Sequence, residues 1–288
     1  MNRHTQIYLA DQRGCSETDS FRSYHTFNFG VYQHESRRPF GPLHLLNDDL
    51  LRAGAGLKLE VGQNTIVLLL PVLGGLEYRS DIASGFLEAG QLGVLSLPAG
   101  TSYTIHNPYE TEYIQCIQCW IASPAREFTP GFSRNCFDLS RKNTLVPLWQ
   151  SAYSETPGRC FIGRYDGRQE GSFHIPADRS GSGIFVFNLQ GVFEVANCLL
   201  HQNDGLALWV ESPDELAFEA LANESLLLVI ELPPTATDKA VITTEQASKP
   251  FCRHRHPAPE QPGVAVWPLH PKYRSGHDGQ HLYAAGQN

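Results

Sequence analysis

The densest set of metal-ligating side chains in the sequence is Cys252-Arg-His-Arg-His-Pro257, near the end of the 288-residue chain. Alternate spacing puts Cys252, His254 and His256 on one face of an extended strand. Three such donors hold zinc when a fourth joins them, and His270 or His277 could supply it. Against this, Arg253 and Arg255 repel a dication, and the paired C-x2-C or H-x3-H spacing of structural zinc sites is missing. A solvated basic tail is the competing reading. Cys116 and Cys119 form a C-x2-C, but inside Tyr113-Ile-Gln-Cys-Ile-Gln-Cys-Trp-Ile121, which has the pattern of a strand. Residues three apart in a strand face opposite sides, so these two thiols should not meet and read as core cysteines. Arg179-Ser-Gly-Ser-Gly183 is a glycine-rich turn without the Lys-Ser/Thr of a phosphate loop. No nucleophile elbow accompanies Asp11, Ser20 and His25, so a hydrolase triad is not expected.

The elements that must position any site have a period of two rather than 3.6. Short runs rich in Val, Ile, Leu, Phe and Tyr alternate with Gly, Pro, Asn and Asp. One group covers 6–10, 25–32, 43–46, 65–73, 92–97, 102–106 and 112–121. A second covers 159–162, 172–175, 184–195, 206–210, 215–220 and 226–232. Helical pattern is scarce, with a turn or short helix expected at 47–53 and another at 144–152. Many short strands at regular spacing predict an all-β protein of barrels or sandwiches. The two groups also resemble each other. Leu70-Pro-Val-Leu-Gly-Gly-Leu-Glu-Tyr78 parallels Phe187-Asn-Leu-Gln-Gly-Val-Phe-Glu-Val195. A Gly between strands supplies the positive φ of a tight hairpin, so one β-barrel unit is read as duplicated.

Composition sets the outer bounds. Hydrophobic residues make up 41% of the chain, enough for one or two cores, and the formal net charge is −8. A negative chain has no general attraction for phosphate backbones, so no nucleic-acid partner is expected. No apolar run of about 18 residues is present to cross a bilayer, so no membrane partner is expected either. The first residues, MNRHTQIYLADQRG, carry no apolar leader, and the seven cysteines are therefore expected as thiols in the cytoplasm. Residues 248–288 are rich in Pro and His and poor in aliphatics, the composition of an extended tail. The expected division is 1–140 for the first barrel, 141–235 for the second and 236–288 for the tail.

Phe40-Gly-Pro-Leu-His-Leu-Leu-Asn-Asp-Asp49 resembles the entry segment of the pirin family, and the resemblance runs on through Gly54, Val72-Leu-Gly-Gly-Leu-Glu-Tyr78 and Gly90 to Asn107-Pro108. It covers residues 25–121 well and the second group of strands more loosely. It implies a bicupin: two cupin barrels (double-stranded β-helix, jelly roll) in tandem with few short helices. Cupins place metal ligands in G-x5-H-x-H-x3,4-E-x6-G and P-x-G-x2-H-x3-N, and pirins use H-P-H on one strand and H-x-E on another. Here the glycine frame is kept and the ligand positions differ. Glu60 and Gly62 stand where the first two His belong, Tyr103 where the third does and Ile105 at the Glu position. A carboxylate and a phenol without imidazole make a poor site for a borderline divalent ion. No metal is therefore expected in the first barrel, and no cofactor. His106 does not rescue the site, because strand parity points it away from Tyr103.

Two readings of this vacated site stand side by side. In one, Glu60, Gly62, Gln63, Tyr103 and Ile105 line a pocket for a small polar or aromatic ligand, with a raised pKa on a buried Glu60. In the other, Glu60 and Tyr103 simply fill the space, hydrogen-bonded to each other or to water. The resemblance implies a non-catalytic protein that binds a small molecule or a regulatory protein partner. It also leaves open a quercetin 2,3-dioxygenase-like oxidoreductase, with Glu60 as general base and Tyr103 as acid. A scaffold with the tail as a docking arm is the third class.

Overall fold

A computed structural model describes residues 4–153, 158–179, 181–209 and 214–233. The first barrel is built from β2 (Gly14–Glu17), β3 (Phe21–His25), β4 (Leu43–Leu51), β5 (Gly56–Glu60), β6 (Thr65–Leu73), β7 (Gly75–Ser80), β8 (Ser84–Glu88), β9 (Gln91–Leu97), β10 (Ser102–His106), β11 (Ile114–Ala122) and β12 (Gly131–Cys136). The second uses β13 (Thr144–Gln150), β14 (Arg159–Tyr165), β15 (Gln169–Ile175), β16 (Gly183–Gln190), β17 (Phe193–Val195), β18 (Cys198–Leu200), β19 (Gly205–Trp209), β20 (Asp214–Ala220) and β21 (Ser225–Leu232). β1 (His4–Tyr8) precedes them all.

Strand order displays the duplication. The large sheet of the first barrel runs β12-β9-β6-β11-β4-β3-β2, and that of the second runs β1-β19-β16-β21-β14-β13. The small sheets run β5-β10-β7-β8 and β15-β20-β17-β18. The central strands of each barrel have counterparts at the same places in the other. The glycines of the paired motifs, Gly74 and Gly191, both take a positive φ, 68° and 80°, at the turn that opens the small sheet. A Cβ on Gly191 would lie 2.1 Å from the Ser225 hydroxyl, so the close approach and the backbone both select glycine there.

The two large sheets pack face to face, which explains why their strands read as continuous apolar runs. In β6, Val67 and Leu69 line the first barrel, while Ile66, Leu68 and Leu70 join a core shared with the second barrel. In β16, Phe185 and Phe187 enter that shared core, and Ile184 and Val186 turn into the second barrel. Burial on both faces removes the alternation that a half-exposed strand would show. The C-x2-C pair obeys the same parity, with Cys116 inside the first barrel and Cys119 in the shared core.

Three expectations are corrected. Residues 47–53 and 144–152 are not helical: they fall largely in β4 and β13, where β4 is paired on both sides, by β11 and β3, and β13 is an edge strand whose Pro147 sits at a register shift. Pairing and burial outweigh local propensity at both places. The helical content among the described residues is three single 3-10 turns, Ala10–Gln12, Glu35–Arg37 and Ala177–Arg179. The chain's first strand does not lie in the first barrel: β1 pairs with β19 and closes the edge of the second. Finally, Cys15, Cys116, Cys119, Cys136 and Cys160 are free thiols, but Cys198 is disulfide-bonded rather than free. Among the described residues no helix is long and apolar enough to cross a membrane.

Candidate functional site

The inward faces of β4, β10 and β11 meet inside the first barrel. Strand parity projects Asp49 from β4, Tyr103 from β10, and Cys116, Gln118 and Trp120 from β11 into the same interior. Tyr103 is 1% exposed, Asp49 and Gln118 0%. The side chains form one chain of hydrogen bonds. Trp120 Nε1 donates to the Tyr103 hydroxyl at 2.8 Å, and that hydroxyl donates to Gln118 Oε1 at 2.5 Å. Gln118 Nε2 in turn donates to Asp49 Oδ2. Around them lie Leu45, Leu51, Val67, Leu69, Leu95, Leu97 and Ile105.

This environment governs proton affinity. Burial pushes the Asp49 carboxyl up from 3.8 to about 7, against the opposing effect of hydrogen bonds from Ser23 and Gln118. Burial likewise holds the Tyr103 phenol well above its ordinary value. It raises the Cys116 thiol, with the Asp49 charge adding to the effect, and takes Cys119 up to about 12. A step away on β3, His25 is held by Asn47 Oδ1 at 3.0 Å and Ser16 Oγ at 2.8 Å. Burial lowers its pKa. The interior is therefore buried, largely neutral up to about pH 7 and linked by one line of hydrogen bonds, with Asp49 Oδ1 buried beside it without a partner.

The residues expected to share this space divide between inside and outside. Tyr103 and Ile105 are interior, but Glu60 is exposed at the end of β5, where it pairs with Ser102 while Leu59 faces Tyr103. Gly62 and Gln63 are exposed in the following loop, and the Gln63 carbonyl accepts from Thr65 Oγ1 at 2.8 Å. A single-residue difference in register decides the face of every side chain in a strand. Glu60 and Tyr103 are consequently not partners, and the five residues do not line one pocket. His106 lies outside, 3.5 Å from Glu77, as its parity requires. Asn107 is a loop anchor, donating through Nδ2 to the carbonyls of Leu51 and Glu112. Cys252, His254 and His256 lie outside the described residues. Among the described residues no three His, Cys, Asp or Glu side chains are grouped so as to hold a metal ion.

Asp49, Gln118 and Trp120 escape the sequence reading for identifiable reasons. Asp49 falls in the stretch expected to turn. Gln118 looks like one polar residue in an apolar strand, although its spacing of two from both Cys116 and Trp120 already places it on their face. A separate concavity lies on the outer face of the second barrel's small sheet. It is an open groove of about 620 Å³ lined by Glu170, Ser172, Glu194, Asn197, Glu215 and Glu219 among others.

No family model matches the sequence. The protein named quercetin 2,3-dioxygenase from Escherichia coli K12 is 27% identical over 236 residues, spanning 79% of this chain and 99% of the relative. The pirin-like protein YhaK of the same strain is 29% identical over 235 residues, spanning 77% of this chain and 97% of its own. The chain is a homologue of the pirin-like proteins. Its fold agrees: the crystal structure of YhhW from Escherichia coli superposes with a TM-score of 0.71 at 20% identity, covering 81% of this chain and 99% of that one. A structure of the bacterial pirin YhhW in complex with nickel(II) gives a TM-score of 0.70 at 20% identity, with 81% and 100% covered. The tandem cupin, all-β architecture expected from the glycine frame is thereby established for this pirin homologue.

Proposed function

We propose that this pirin-like bicupin works by binding rather than by catalysis, as a cytoplasmic regulatory protein whose first barrel does not carry the metal centre of its relatives. The observation that carries this reading is the state of the Tyr103 hydroxyl. It stands at a family ligand position, yet it donates to Gln118 and accepts from Trp120 within a buried interior. A metal would have to displace both partners and ionise a phenol that burial keeps protonated. The other three positions give no help: Glu60 is exposed to solvent, Gly62 has no side chain and Ile105 has no donor atom. A divalent ion of the kind imidazole and carboxylate sites hold needs several converging donors. The residues present do not fit it, and no reaction step is assigned to it.

The second reading, a quercetin 2,3-dioxygenase-like oxidoreductase with an unusual site, is favoured by the name of the Escherichia coli homologue. Metal analysis of the purified chain together with a quercetin turnover assay separates the two. The binding reading expects metal far below one ion per chain and no turnover with or without added nickel or iron. Near-stoichiometric metal, or turnover abolished by Tyr103→Phe, overturns it. Metal lost only on His254→Ala or His256→Ala would assign it to the tail and leave the first barrel as described.

A further inference from the structure

The ladders of the two barrels match position by position around their central strands. Val67 on β6 and Ile184 on β16 stand equally far before the paired turn glycines Gly74 and Gly191. The register slips at the same place in both, passing over Val72 in one and Leu189 in the other. Val67 lies opposite Trp120 on β11, and Ile184 opposite Glu231 on β21. Glu231 therefore holds in the second barrel the place that Trp120 holds in the first, where the indole donates to Tyr103. Its parity with Leu227 and Val229 turns it into the barrel. By the same ladders Arg159 on β14 takes the place of Leu45 on β4. A carboxylate and a guanidinium thus face the interior of the second barrel at the level where the first carries Tyr103.

The charges at this level are not balanced. Glu231 is fully buried. Arg159 holds its Oε2, with Nε donating at 2.5 Å. Arg179, in the turn after β15, brings Nη1 to 3.8 Å from Oε1, too far for a hydrogen bond, and Oε1 is buried without a hydrogen-bond partner. Among the described residues Glu231 is the one carboxylate within ion-pair distance of either guanidinium. Arginine stays charged throughout the physiological pH range, so two cations meet one anion and the cluster keeps a surplus positive charge. Arg159 is fixed further by the rings of Phe161 and Phe173, 5.5 and 5.4 Å from its guanidinium carbon. The Arg159 and Arg179 side chains are 20% and 18% exposed, so solvent reaches the cluster although its carboxylate is covered. A surplus charge in a largely buried place is costly unless a counter-ion meets it, and a buried acceptor without a donor adds to that cost.

We propose that Arg159, Arg179 and Glu231 form a binding site for a small hydroxycarboxylate at this end of the second barrel. The ligand's carboxylate pairs with the fork of Arg179 and cancels the surplus charge. Its hydroxyl donates to Glu231 Oε1, supplying the hydrogen bond that Arg179 is too distant to give. Arg159, braced by its two rings, keeps Glu231 in place. The ligand class follows from two unmet needs in adjoining places, one positive charge and one acceptor. The site lies wholly in the second barrel and is independent of what the first barrel holds.

Ligand-detected NMR titration of the full chain with glycolate is the test. Glycolate should bind with a Kd of about 1 mM, a range open to a ligand of so few atoms. Acetate, which lacks the hydroxyl, and glycolamide, which lacks the charge, should each bind at least about tenfold more weakly. Arg179→Gln should weaken glycolate binding by about tenfold or more. Arg179 lies in a turn outside the sheets, so this variant keeps the barrel. Arg179→Lys, which restores the charge without the fork, should recover part of the affinity. Arg168→Gln, at an exposed arginine elsewhere on this barrel, should change nothing. No glycolate binding to the wild-type chain at about 50 mM, or equal binding by the wild type and Arg179→Gln, overturns the proposal. Equal affinity for glycolate and acetate also overturns it, because the Glu231 acceptor would then be unused. None of these results bears on the metal content of the first barrel, so the two readings fail separately.

Discussion

Replacing Asp49 by Asn should flatten the pH dependence of stability. In the folded chain this carboxyl is fully buried and titrates near 7, while in the unfolded chain it titrates near 3.8. Between those values the folded state binds more protons than the unfolded state, so stability falls as pH rises. The cost begins near the unfolded value and is complete above the folded one. Each pH unit well inside the window is worth about 1.4 kcal/mol, and the slope halves near the folded value, so this group alone should remove roughly 2 kcal/mol between about pH 5 and pH 7. Asparagine keeps the acceptor for Gln118 and cannot ionise. Urea unfolding of both proteins at closely spaced pH values measures the effect. The wild type should lose roughly 2 kcal/mol more than Asp49→Asn across that interval, and the variant should be the more stable protein above pH 7. Parallel profiles for the two proteins would refute the reading that burial holds this carboxyl neutral.

Other consequences are simpler to state. Tyr103→Phe takes the hydroxyl away from both Gln118 Oε1 and the Trp120 indole N–H, and should cost about 1–3 kcal/mol in denaturant unfolding. Glu60→Ala removes an exposed side chain and should change stability by no more than about 0.5 kcal/mol. A large loss would mean that Glu60 is engaged inside the barrel after all. Gly191→Ala meets both a positive φ and Ser225 at 2.1 Å, and should lower stability by about 2 kcal/mol or more, visible as a lowered Tm.

The fold is legible in the sequence because its strongest signals are local. Glycines at the two equivalent turns, with alternating or continuous apolar runs around them, are enough to announce tandem β-barrels. The exchange of β1 into the second barrel is not legible, since strand pairing across nearly 200 residues leaves no mark in the spacing of His4–Tyr8. β4 is half legible for a different reason. Asn47, Asp48 and Asp49 look like turn residues, and only the pairing of this strand between β3 and β11 explains why polar side chains can continue it. The site suffers most from register. Motif spacing puts Glu60 and Tyr103 at related positions, but hydrogen-bond pairing sets Glu60 opposite Ser102 and turns it outward. Parity within one strand is sound: it separates Cys116 from Cys119 and sends His106 away from Tyr103. Parity between strands needs the ladder itself, and the sequence does not carry that.

The central claim is that the first barrel engages Tyr103, at a position the pirin resemblance marks for a ligand, in hydrogen bonds among its own buried side chains. Crystals of the full chain soaked in nickel(II), with diffraction measured at the nickel absorption edge, test it most directly. The account predicts no anomalous peak among Asp49, Tyr103, Gln118 and Trp120, and an unbroken line of density from the indole to the carboxyl. A peak at coordination distance from any of these side chains, with the Tyr103 hydroxyl turned toward it, would contradict the account and return a metal centre to this barrel.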